Sequence, residues 1–196
     1  MDRSSKITRT TSETEISVEL VLHTVRESNI NSGVPFFDHM LTSMAKHGRF
    51  YLHLLCQGDN EIDDHHSVED IGISIGQAFK NAFSEKKGIY RFGDAVIPMD
   101  DSLTLVAVDL SGRPYYHYKG AKLKGYIGRY SEELTGEFLH AFAVNAGINL
   151  HVRVFSGQNR HHIHESIFKA LGIALYKASV IDSLLADSVL STKGTI

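Results

Sequence analysis

The sequence predicts an α+β fold: an internally duplicated α/β unit, each half a mixed or antiparallel sheet covered by helices on one face. Three observations predict it. The motif His-His-x-x-Glu occurs twice, as His65, His66, Glu69 and as His161, His162, Glu165, 96 residues apart. The same offset lays Gly76, Ala78 and Ala82 on Gly172, Ala174 and Ala178, and upstream an offset of 98 lays Leu41 on Leu139 and Ala45 on Ala143. Strand-like and helix-like apolar periodicities also alternate in the same order in both halves. The chain of 196 residues then reads as one domain of two repeats, about 1–90 and 91–196.

Each element follows from its pattern. "EISVELVL" (15–22) alternates apolar and polar residues, as a half-buried strand does. "FFDHMLTSMAKHG" spaces Phe37, Met40, Leu41 and Met44 on one helical face and stops at Gly48. "FYLHLLC" is a short strand, and "SVEDIGISIGQAFKNAFSEKKG" is a helix closing at Gly88. "SLTLVAVDLSGRP" is a strand entering a turn, and the second half continues with helix 131–146, strand 148–155 and helix 163–181. Each repeat is therefore strand, strand, helix, strand, helix. The sheet faces that the helices leave bare are available to pack on each other or on another subunit.

Composition narrows the function classes. Twenty-three acids against 20 bases give a net charge of −3, with no basic excess to attract nucleic acid or an acidic membrane surface. No apolar run approaches the roughly 20 residues of a membrane span. The polar start "MDRSSKITRTTSETE" lacks the apolar centre of a secretory signal. Cys56 is the only cysteine, so no intrachain disulfide forms, and a reducing cytoplasmic location is expected.

The unusual residue is histidine, present twelve times. Side chains three and four apart share a helix face, so Glu69 stands beside His65 or His66, and Glu165 beside His161 or His162. Adjacent helical residues point about 100° apart, so the two imidazoles of a pair serve different ions, or one ion and one substrate. The duplication adds His39 and its counterpart Glu137. The inventory of eight candidate ligands is His39, His65, His66, Glu69, Glu137, His161, His162 and Glu165, enough for two four-ligand sites. Imidazole and carboxylate without thiolate suit a borderline or hard divalent ion: manganese, iron, zinc or cobalt. His23, His47, His53, His117, His140, His151 and His164 read as surface or satisfied core groups. A second set of residues suits an anion such as phosphate: Arg91, Arg113, Lys169, and the tail residues Ser191, Thr192 and Lys193.

"FFDHML", "DDHHSVED", "PMDDSL", "DLSGRP", "NRHHIHESIFKAL" and "STKG", in this order, resemble the motifs of imidazoleglycerol-phosphate dehydratase from about Arg9 to Gly194. The resemblance implies dehydration of imidazoleglycerol phosphate to imidazoleacetol phosphate in histidine biosynthesis. It also implies two Mn2+ ions per active site, metal sites formed between subunits, and a homo-oligomer of 24 subunits built from trimers. Carried over by position, His39, His65, His66, Glu69, His161, His162 and Glu165 hold metal, and the eighth position, often His in the family, is Glu137 here. The resemblance places Glu13 near the substrate, together with Arg91, Arg113, Lys169, Ser191, Thr192 and Lys193. The ligands His39, His65, His66 and His161 line the same site.

The chemical difficulty is the proton on carbon 2 of the glycerol chain, which no adjacent carbonyl acidifies. An imidazole ring held by metal at both nitrogens would be electron-rich enough to expel the neighbouring hydroxyl, after which carbon 2 loses its proton. A carboxylate must move that proton. Glu13 is the first candidate, Glu69 and Glu165 are metal-adjacent alternatives, and Asp100 is a weaker one. Two other functions would use the same ligands: a dinuclear metallohydrolase acting on a phosphate ester, and a metal-storage or assembly module.

Overall fold

A computed structural model describes residues 3–185 and 188–194. The first half runs β1 (Ser4–Thr10), β2 (Thr14–Val21), β3 (Asn29–Asn31), α1 (Pro35–Gly48), β4 (Tyr51–Gly58) and α2 (His65–Phe83). The second runs β5 (Phe92–Met99), β6 (Ser102–Asp109), β7 (Tyr115–Lys119), a short hairpin β8 (Tyr126–Ile127) and β9 (Tyr130–Ser131), α3 (Glu133–Ala146), β10 (Asn149–Ser156) and α4 (Arg160–Ser179). The four-stranded sheets have orders β1-β2-β4-β3 and β5-β6-β10-β7.

The halves match in register as well as in order. Val18 pairs with Leu54 in the first sheet; shifts of 88 and 98 residues turn this into the observed pair Val106 and Val152. The parallel edge pair Asn29 and His53 becomes His117 and His151 by the same shifts. Each four-stranded sheet thus takes three strands from before the first helix of its repeat, one more than the sequence predicts, and the second repeat adds the separate β8–β9 hairpin. The edge strands are β1, β3, β5 and β7, none of which stands out in the sequence as β2, β4, β6 and β10 do.

Alternation in the central strands decides which face is covered. Ile16, Val18 and Leu20 on β2, with Leu52 and Leu54 on β4, are buried under α2 and α1; Val106, Val108, Leu150 and Val152 do the same under α4 and α3. The helices then pack across the halves, α1 on α4 and α2 on α3. One continuous apolar core draws on both repeats, so neither half buries its helices alone. Polar anchors sit at equivalent places. Asp70 of α2 binds Arg9 and Thr14 at 2.8 and 2.6 Å, and Ser166 of α4 meets Ser102 and Thr104 at 3.0 and 2.7 Å.

Two helix boundaries differ from expectation by three residues or more. α2 ends at Phe83, not at Gly88, because Ser84 and Lys86 take left-handed φ values of 52° and 56°. α4 begins at Arg160 rather than 163, capped by the Asn159 side chain, which accepts from the His162 amide. His161 and His162 therefore lie inside the first turn.

Candidate metal centre and active site

Four helix starts carry the candidate ligands. Pro35 opens α1 and sets His39 in its second turn. There His39 meets the beginning of α4, because α1 and α4 run side by side. Nε2 of His39 and Nε2 of His161 lie 3.4 and 3.0 Å from Oε2 of Glu165. Among the described residues, this is the group of three His, Cys, Asp or Glu whose ligand atoms all lie within 4.8 Å of one another. Two imidazoles and a carboxylate without sulfur form a donor set that suits a borderline or hard divalent cation. Glu165 also pairs with Lys169 at 3.0 Å. Burial alone would push its carboxyl upward, but Lys169, His161 and His39 outweigh burial and hold it below the ordinary range. Glu165 is therefore a carboxylate at neutral pH, as a ligand must be.

The other pairs splay, as their spacing along a helix requires. His65 faces Glu69 at 3.7 Å. His66 turns away: its Nδ1 meets Asp59 at 3.0 Å and its Nε2 lies 3.7 Å from Glu13. His162 likewise leaves His161, directing Nδ1 to Asp101 at 2.7 Å and Nε2 toward Asp100 at 3.4 Å. The hydrogen bond that His66 donates to Asp59 raises the His66 imidazole above its ordinary value. A carboxylate on Nδ1 fixes the ring and leaves Nε2 for a metal or substrate. Sequence reasoning missed Asp59 and Asp101 in this role. A signal for Asp101 existed, since the strand offset of 88 makes it the counterpart of Glu13. Glu137 lies exposed on α3 outside the triad. An open cleft of about 390 Å³ beside His65 is lined by Asp63, Asp64, Tyr126, Arg129 and Glu133.

His164 is fully buried and belongs to a polar chain. Its Nδ1 is 2.8 Å from Thr135 Oγ1, which is 2.8 Å from the Tyr130 hydroxyl, while Nε2 faces Glu132 at 3.4 Å. Burial keeps His164 below its ordinary value despite Glu132. With the neutral ring protonated on Nε2, Tyr130 donates to Thr135, Thr135 to Nδ1, and Nε2 to Glu132, so every group has a partner.

Of the anion-binding candidates, only Lys169 stands at this centre. Arg91 forks onto Asp109 at 2.7 and 3.2 Å and donates to the Leu190 carbonyl at 2.8 Å, which ties the Ser191–Lys193 turn to the start of β5. Arg113 is exposed in the turn after β6. Lys169 stays with Glu165 and reaches Met99 Sδ at 3.6 Å, at the far end of β5. Arg91 and His162 are thus separated by the length of an eight-residue strand, roughly 26 Å.

The model of the imidazoleglycerol-phosphate dehydratase family matches residues 32–175. An imidazoleglycerol-phosphate dehydratase of Leptospira biflexa is 50% identical over 196 residues, and that of Geobacillus kaustophilus 48%, each covering 100% of both chains. The Staphylococcus aureus enzyme structure superposes with a TM-score of 0.83 at 37% identity, over 91% of this chain and 99% of that one. The Pyrococcus furiosus structure gives 0.83 at 35%, over 97% and 100%. With relatives near 50% identical over their full length and a family model matching most of the chain, the chain belongs to the imidazoleglycerol-phosphate dehydratase family.

Proposed function

We propose that this chain, residues 1–196 acting as one functional domain, is a metal-dependent hydro-lyase of histidine biosynthesis that converts imidazoleglycerol phosphate to imidazoleacetol phosphate and water. The convergence of His39, His161 and Glu165 carries this reading. Two Mn2+ ions per active site would be held by these residues together with His65, His66, Glu69, Glu137 and His162. When bound, such ions supply Lewis-acid stabilisation of charge on the substrate heterocycle.

The chain's own groups divide the remaining work. Glu165 is committed to three cationic or imidazole partners and suits a ligand, not a proton carrier. Glu69 stands by His65. Glu13, with its side chain half exposed and 3.7 Å from His66, lies outside the triad and is free to take the carbon-2 proton. Arg91, Arg113, Ser191, Thr192 and Lys193 would hold the phosphate and so fix the orientation of carbons 2 and 3. Lys169 sets the charge of Glu165 before any substrate contact.

The phosphate end and the histidine end of one chain lie a strand apart, farther than this small substrate reaches. A second copy would bring them together, in keeping with an assembly of 24 subunits built from trimers. The outer face of the second sheet offers apolar surface for such packing, with Phe92, Val96, Tyr115 and Phe155 about half exposed. Buried, unpaired Cys56 fits a cytoplasmic location.

The test is incubation of manganese-loaded protein with imidazoleglycerol phosphate. A ketone product, two manganese ions per chain by elemental analysis, and loss of turnover on chelation are expected. Release of inorganic phosphate without ketone would reject the reading in favour of a metallohydrolase.

A further inference from the structure

The second half carries a segment that the first half lacks. Between strand and helix it runs through residues 120–132, where the first half uses only 32–34. The segment ends in Glu132, 2% exposed, facing His164, 0% exposed. The internal offsets of 98 and 96 place these two residues on Val34 and Val68, each also 0% exposed. The same place in the same fold is therefore filled once by two valines and once by a buried acid and an imidazole. Packing does not demand the polar pair. Burying such groups in place of apolar ones brings no stability by itself and often costs some.

The contacts show what the polar pair holds. Oε1 of Glu132 pairs with the Arg160 guanidinium, which also donates to the Lys124 carbonyl. The Glu132 amide donates to the Gly125 carbonyl at 3.0 Å. Tyr130, fully buried, reaches His164 through Thr135. Both arms of the segment are thereby fastened to the first turns of α4, beside His161 and Glu165. Phe36 fills the remaining gap, its ring 5.3 Å from His161 and 5.1 Å from Tyr130. At the other side, Arg129 donates to Asp64 at 3.1 Å and to the Gly33 carbonyl at 3.2 Å. Asp64 immediately precedes His65, and Arg160 immediately precedes His161; the offset of 96 makes them equivalent positions. One segment grips the residue before each His-His pair.

We infer that residues 120–132 form a brace that sets the two His-His helix starts relative to each other, with Glu132 as its positioning residue. The inference rests on the reading of those histidines as metal ligands. Groups that orient ligands without touching the metal typically change metal affinity or activity by about 10- to 100-fold when removed.

The valines of the first half supply the test. Glu132→Val with His164→Val should still fold, its melting temperature lowered by no more than a few degrees because buried Thr135 loses the Nδ1 acceptor. Mn2+ affinity by titration calorimetry should nonetheless fall about 10- to 100-fold, and kcat should fall with KM little changed. A folded double variant with wild-type Mn2+ affinity and kcat overturns the brace. Should that variant fail to fold, Arg129→Ala decides, because its side chain is 60% exposed and its loss opens no core cavity. Weakened Mn2+ binding at an unchanged melting temperature supports the brace, and unchanged binding overturns it. Wild-type protein that takes up no Mn2+ rejects the metal reading and the brace together, whereas wild-type uptake matched by the variants rejects only the brace.

Discussion

Glu13 and Asp101 sit at the tips of the equivalent hairpins β1–β2 and β5–β6, each beside the second histidine of a pair. Their surroundings separate their roles. Asp101 accepts from the amides of Asn159 and Gln158 at 2.9 and 2.5 Å as well as from His162, and these bonds hold its carboxyl far below the ordinary range. It is locked as an anion that orients the start of α4. Among the described residues the Glu13 carboxylate meets only His66, at 3.7 Å, and so remains available for proton transfer. Glu13→Gln should lower turnover by about two orders of magnitude while elemental analysis finds the manganese content unchanged. Near-normal turnover would remove Glu13 from the mechanism. The histidines and glutamates were legible because helical spacing alone places i and i+4 together. Asp59 and Asp101 were not, because a contact such as Asp101 with His162 spans 61 positions and depends on where the hairpin meets the helix.

Among the elements, the glycine shared by both repeats has a measurable purpose. A Cβ on Gly172 would lie 2.3 Å from the Met44 carbonyl oxygen and 2.9 Å from the Gly48 amide; on Gly76 the counterparts are the Phe142 oxygen at 2.8 Å and the Ala146 amide at 3.0 Å. The close crossings of α1 with α4 and of α2 with α3 depend on these two positions. Gly172→Ala must push backbone from backbone and should cost about 1–3 kcal/mol, read as a lowered melting temperature. Gly136 in α3 is the control: a Cβ there meets nothing within 4 Å, so Gly136→Ala should stabilise by about 0.5–1 kcal/mol through helix propensity. Equal effects of the two substitutions would contradict the crossing argument. The same burial logic explains which strands the sequence displays. β2, β4, β6 and β10 are central, bury one face fully and alternate clearly. β1, β3, β5 and β7 are edges with weak alternation, and β5 even contains Pro98, which an edge tolerates.

At the scale of the whole molecule, two predictions follow from where groups lie. Burial raises the hydroxyls of Tyr116, Tyr118 and Tyr130 above the free value of 10.0, Tyr118 to about 12. A raised folded-state value favours the protonated form, so this contribution is intact below pH 10 and is lost as pH climbs through the folded values. Ultraviolet titration should show these three tyrosinates appearing late, with that of Tyr130, which is fully buried, forming only as helical dichroism is lost. Tyr130→Phe should leave the titration unchanged while the helices are intact, and loss of an early-titrating group in that variant would contradict the burial of Tyr130. The second prediction concerns the distance between the two ends of the second sheet. His161 stands at one end and Arg113 at the other, so a substrate held by both needs the histidine end of one chain and the arginine end of another. His161→Ala and the double variant Arg113→Ala with Lys193→Ala should each be inactive when refolded alone. Denatured together in equal amounts and refolded, they should regain activity, because a shared site that draws one intact end from each variant arises at about a quarter of positions under random assembly. A site built within a single chain would never acquire both intact ends. The mixture would then show no more activity than the two variants refolded apart, and that outcome would reject the shared site.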